Sequence, residues 1–174
     1  MEKKLLVSLI VFMLICIALW FQINIINIFT FFGATANLGI IIVVGIGLLS
    51  GKIPGALTGA AYGFLTDVLF GKSIGIYFLI YTLLGFTSGE MSRGFSKDNK
   101  LSMVYMVALF TVITELVTNF VFIILYGYDL EVVAVLKLII KETIYNMILA
   151  RLLFKPMTGL GEIINKCKNS YYLL

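Results

Sequence analysis

The sequence contains no histidine, two cysteines and two prolines in 174 residues, and only 13% of its residues are charged. Without histidine the common nucleophile–base pairs cannot be assembled, and neither a haem site nor a Cys/His zinc site is available. Cys16 lies in an apolar run and Cys167 near the C-terminus. They read as a small hydrophobe and a reduced thiol, not as a disulfide. Gly51-Lys52 lacks the preceding glycine frame of a phosphate-binding loop. An intramembrane hydrolase would need a reactive Ser or two Asp residues within apolar spans, and only Asp67 is so placed. No basic stripe with interleaved aromatics is present, which sets nucleic acid aside as a partner. An enzyme is not expected, nor a cofactor or a metal.

The chain is rich in apolar residues, at 61%, with a mean hydropathy of +1.08. Soluble domains are usually about 45–50% apolar. A single core in a chain of this size cannot hide the excess, because a domain of roughly 150 residues buries only about 70% of its surface. A bilayer is the solvent that accepts it. The sequence therefore predicts an all-α integral membrane protein, a bundle of six transmembrane helices forming one domain.

A spanning helix needs about 20 mostly apolar residues. Six stretches qualify approximately: residues 5–21, 37–50, 53–70, 74–91, 101–126 and 130–154, followed by a cytoplasmic tail over 155–174. The first resembles a signal peptide, but Phe21-Gln22-Ile23-Asn24 offers no small-residue cleavage site. The second is short, with an irregular start around residues 33–36, and a re-entrant pair of the second and third stretches is the alternative. Pro54 opens the third stretch and Pro156 is expected to stop the sixth. The end of the chain, from Ile163, reads as an interfacial amphipathic piece or as a disordered basic tail. Basic residues at the ends of the spans fix orientation. With the N-terminus inside, Lys3, Lys4, Lys52, Arg93, Lys97, Lys100, Lys155, Lys166 and Lys168 fall inside, and Lys72 alone falls outside. Both ends are thus expected in the cytoplasm.

Two features within the spans stand out. Gly51, Gly55, Gly59 and Gly63 recur every fourth residue, so small residues line one slowly winding face of the third helix. In lipid such a face lets another backbone approach closely. It serves either internal packing or the docking of a partner's helix. The second feature is charge, which costs at least about 2.5–3.5 kcal/mol per residue near the bilayer centre. Asp67, Glu115, Lys137, Lys141 and Glu142 are so placed, whereas Glu90 and Arg151 lie near span ends and can snorkel. Counting the helical rise from the turn near Gly127–Asp129 sets Glu115 level with Lys141 and Glu142. The pairs Glu115–Lys141 and Asp67–Lys137 are the expectation. Thr111, Glu115, Thr118 and Asn119 share one face of the fifth helix. These groups read as a polar network fixing the bundle, a partner contact or a transport path.

The run from Gly59 through Tyr62-Gly63-Phe64 and Asp67 to Gly71 and Gly75 resembles the MreD family of bacterial rod-shape-determining membrane proteins, with its G-F-x-x-D-x-x-x-G-x-x-x-G block. Asn37 is similar to the asparagine of that family's Pro-Asn pair, although Ala36 stands where proline would be. The resemblance in motif covers roughly residues 37–89. It implies a non-enzymatic subunit of the cell-elongation machinery in the cytoplasmic membrane. The implied partners are an MreC-like single-span scaffold and other membrane proteins that connect cell shape with peptidoglycan synthesis. It also implies a fold similar to the six-helix substrate-binding subunits of energy-coupling-factor transporters. A vitamin-binding subunit is accordingly the alternative, with Asp67, Lys137 and Tyr128 lining an outer pocket. The first span shows no Ala-xxx-Ala docking face of the kind such a subunit would carry.

Overall fold

A computed structural model describes residues 2–26, 34–70, 75–92, 99–127 and 131–169. Gly33, Gly71, Lys72, Arg93, Lys97, Tyr128, Asp129 and residues 170–174 lie outside the described residues. The described chain is all-helical: α1 (Glu2–Phe21), continued by a π turn over Gln22–Ile26, α2 (Leu38–Ser50), α3 (Lys52–Phe70), α4 (Ile76–Met91), α5 (Lys100–Tyr126) and α6 (Val132–Asn169). The only other regular feature described is an isolated bridge at Ala34.

The bundle is built around α2. Every residue of that helix after Leu38 is buried, as expected for a helix that is apolar on all sides. It touches each of the other five helices. Its 13 residues span about 20 Å, short of the roughly 30 Å of a bilayer's hydrocarbon core. Asn37 caps its start: the side-chain oxygen accepts from Ile40 N at 3.3 Å, satisfying a donor the helix itself cannot. Gly51 ends it, and one residue then separates α2 from α3. The φ of 99° at Gly51 is open to glycine and strained for other residues. Gly51 is therefore the turn between two helices, and its carbonyl carbon also lies against Gly89 of α4, 2.6 Å from where a Cβ there would stand.

Outside this centre the polarity is inverted relative to a soluble protein. Leu9, Phe12 and Ile17 on α1, Leu57 and Phe64 on α3, Leu79 and Leu83 on α4, Leu109, Phe120 and Ile124 on α5, and Ile140 and Ile148 on α6 are all exposed. An apolar exterior on this scale marks a lipid or partner surface. Among the described residues two helices, Lys52–Phe70 and the stretch Lys100–Leu125, are long and apolar enough on their own to cross a membrane.

The sixth helix differs from its sequence-based expectation. It continues through Pro156 to Asn169, about 57 Å at ~1.5 Å per residue. Proline lacks the N–H that would bond back four residues, at a usual cost of about 3 kcal/mol or more inside a helix. Tertiary contacts hold the segment. Met157 (3% exposed) and Ile164 (8%) belong to the core, and Asn165 donates to Leu49 O at 2.9 Å. Part of the expected tail is thus a working part of the bundle.

Candidate functional site

The first group of chemically distinctive residues forms a seam between α3 and α4. On α3, Gly55, Gly59 and Gly63 face the backbone of α4 at Gly85, Tyr81 and Tyr77, one rung per turn of two antiparallel helices. A methyl group added at Gly55 would lie 2.7 Å from Gly47 Cα, at Gly59 2.6 Å from the Tyr81 carbonyl carbon, and at Gly63 2.7 Å from Phe78 Cα. Ordinary contact begins near 3.4 Å. Gly47 of α2 and Gly85 and Gly89 of α4 complete the interlock. The small-residue face is filled by this chain's own helices, which favours internal packing of the two readings of the ladder.

Each end of the seam carries a charge. At one end Lys52 Nζ meets Glu90 Oε2 at 2.9 Å, both side chains about two-fifths exposed, and the ammonium also lies 5.7 Å from the centre of the Phe86 ring. At the other end stands Asp67, 2% exposed. Its carboxylate accepts from Gly75 N at 2.9 Å, Tyr77 N at 3.0 Å and Phe78 N at 2.9 Å. These are the orphan donors of the first turn of α4, where negative charge is favoured. Gly75 itself has no capping side chain of its own, so α3 supplies the cap. Asp67 therefore binds backbone, and Lys137, exposed on α6, is not its counter-charge. The Gly63–Asp67 spacing acquires a physical meaning: the glycine lets α4 come close, and the carboxylate one turn on receives its end.

The second group is a buried polar layer across the bundle. Asn146 of α6, 0% exposed, accepts from Asn37 N at 2.8 Å and donates to Thr111 Oγ1 of α5 at 3.0 Å. Tyr81 Oη of α4 donates to Asn37 Oδ1 at 3.0 Å. Gln22 donates to Ala36 O at 2.8 Å and accepts from Leu38 N at 3.0 Å, so the irregular entry to α2 is held from three sides. One turn from Asn146, Glu142 meets Glu115 carboxyl to carboxyl. Asn119 Nδ2 donates to Glu115 O at 2.8 Å and reaches its carboxyl at 3.5 Å. Tyr77 packs on Tyr81 and Phe122, with ring centres 6.3 Å apart in each case.

Glu142 is among the contacts of Glu115. Sequence reasoning set Glu115 level with Lys141 and Glu142 and paired it with Lys141. It missed Asn146, Tyr81 and Gln22 because neutral polar residues carry no cost that marks them out in a scan for charge. The spacing of Glu142 and Asn146 at i, i+4 was the available signal.

An open apolar groove of about 630 Å³ separates α1 from α6, with Ile17, Phe21, Ile42, Tyr145 and Leu149 among its walls. Among the described residues no cluster of His, Cys, Asp or Glu could hold a metal ion.

No curated protein and no solved structure matches the chain, so the expected likeness to energy-coupling-factor subunits has no support from a known fold. The family model for the rod shape-determining protein MreD matches residues 2–163, far beyond the block around Asp67 that first suggested it. With an apolar exterior, a glycine seam ending in that aspartate and a family match over nearly its whole length, the chain belongs to the MreD family of membrane proteins, whose role is in rod-shape determination.

Proposed function

We propose that this chain is a non-enzymatic, six-span subunit of the bacterial cell-elongation machinery, with both ends in the cytoplasm. It binds an MreC-like single-span scaffold in the cytoplasmic membrane and so helps maintain rod shape and lateral peptidoglycan synthesis. The observation that carries this reading is the apolar outer surface, wrapped around an interior in which a polar, hydrogen-bonded layer crosses an apolar core. Such a body offers lipid-facing helices for association. The intramembrane groups Asp67, Glu115, Asn119, Lys141 and Glu142 then act by setting the bundle's shape. Because Gly55, Gly59 and Gly63 are consumed internally, the scaffold contacts side chains on the outer surface.

The test is depletion in the native host, with a tagged copy for purification from its membranes. Round, swollen cells and recovery of a single-span scaffold are expected. Rods that persist after complete depletion, or a purified chain that carries a vitamin and no scaffold, would reject the proposal.

A further inference from the structure

The open groove between α1 and α6 belongs neither to the glycine seam nor to the polar layer. Leu14, Ile17 and Phe21 of α1 line one side, Ile148 and Leu153 of α6 the other, and Ile42 of α2 lies between. Ile17 and Ile148 are each more than half exposed, so the groove opens on the apolar exterior of the bundle. A space of about 630 Å³ left empty forfeits dispersion contacts along all its walls. Water does not settle there, because a bound water needs about two to four polar partners, and the hydroxyl of Tyr145 is the only one among the lining side chains described. Along α6 the lining runs from Tyr145 to Leu153, about 12 Å at ~1.5 Å per residue. That is well short of the roughly 30 Å that a partner's spanning helix would cross, and close to the hydrocarbon depth of a single leaflet.

One lip of the groove carries charge of a single sign. Ile148, Arg151 and Lys155 follow one another at i, i+3 and i+7, so both cations stand on the side of α6 that Ile148 borders. Both are exposed, and among the described residues neither meets a carboxylate. No acidic residue stands on α6 between Glu142 and Glu162, and Glu162 faces Lys166 at 3.9 Å. The one acid of α1, Glu2, lies at the end of that helix remote from the groove. An arginine and a lysine one turn apart suit a phosphate group, the first as a planar fork of donors and the second as a point charge. We propose that an anionic phospholipid is seated here, with one acyl chain in the groove and its phosphate at Arg151 and Lys155. The acyl chain completes the packing of α1 beside α6, and the headgroup contact selects negatively charged lipid from the bilayer around the bundle.

Native mass spectrometry of the full chain, purified in mild detergent, tests this. The wild type should retain a phospholipid, and after delipidation it should take up phosphatidylglycerol several-fold more tightly than phosphatidylethanolamine. Ile148→Trp places bulk at the mouth of the groove and should lose the adduct. Ile17→Trp does the same from the opposite wall and serves the comparison should Ile148→Trp fail to fold. Leu83→Trp, on the exposed face of α4, should bind as the wild type does. Arg151→Gln combined with Lys155→Gln should still bind lipid but lose the preference for phosphatidylglycerol. A photoreactive group at position 148, activated in native membranes, should couple to lipid. The proposal is overturned by a wild type that takes up neither lipid, by folded tryptophan variants at 148 or 17 that keep the adduct, by a preference that survives in the double glutamine variant, or by coupling at 148 to a protein helix in place of lipid.

Discussion

Asp67 shows what a single residue contributes when its partners are backbone. Three N–H groups converge on one carboxylate at the start of α4. Hydrogen bonds to a charged group contribute about 1.5–3 kcal/mol each net, and lost donors in a buried place cost their desolvation. Asp67→Ala should therefore lower stability by at least about 2 kcal/mol, read as a drop in thermal midpoint by circular dichroism in detergent. Asp67→Asn keeps one acceptor oxygen and should fall between. Lys137→Ala should change little, and a loss equal to that of Asp67→Ala would restore the ion pair first expected from the sequence. That Asp67 is buried was legible from its place in an apolar helix. Its partner was not, because a search for opposite charge does not register unpaired N–H groups at the end of a neighbouring helix.

At the scale of the helix the glycines divide by environment. Gly59 has no room for a methyl group, whereas Gly159 on α6 has nothing within 4 Å of a Cβ and no positive φ. Gly59→Ala should destabilise by about 1–3 kcal/mol through overpacking. Gly159→Ala should stabilise by roughly 0.5–1 kcal/mol, the usual penalty of glycine within a helix. Both are to be measured on the purified chain alone. Unchanged stability in Gly59→Ala, with loss only of scaffold recovery, would show that the seam docks a partner after all. The period of four made the seam visible in the sequence, and antiparallel α4 was the neighbour it could not name: the matching glycines Gly85 and Gly89 are only one spacing long. Gly51 follows the same count and also makes a turn, which only its φ reveals. Likewise Pro156 carries a strong stop signal, and contacts from α2 override it.

For the whole molecule, the six-span orientation is tested by single cysteines introduced into a cysteine-free chain. Labelling from outside intact cells is expected at positions 72 and 131, and labelling only after permeabilisation at positions 52 and 166. Exterior labelling at 166 would break the proposed topology. The bundle's central helix has a further consequence, for the order in which the protein can be made. With no face left for lipid, α2 cannot reach its final surroundings when it leaves the ribosome; it must wait for helices synthesised later. The last of these surroundings arrives with Met157, Gly161 and Asn165, which close over Gly45 and Leu49. A chain ending at Phe154 would contain all six expected spans and still be unfinished, with its centre uncovered. Such a truncation should insert yet be cleared by membrane proteases, so that its steady-state level falls well below that of the full chain on immunoblots. The stretch from Met157 to Asn165 is in this sense the closing piece of the core.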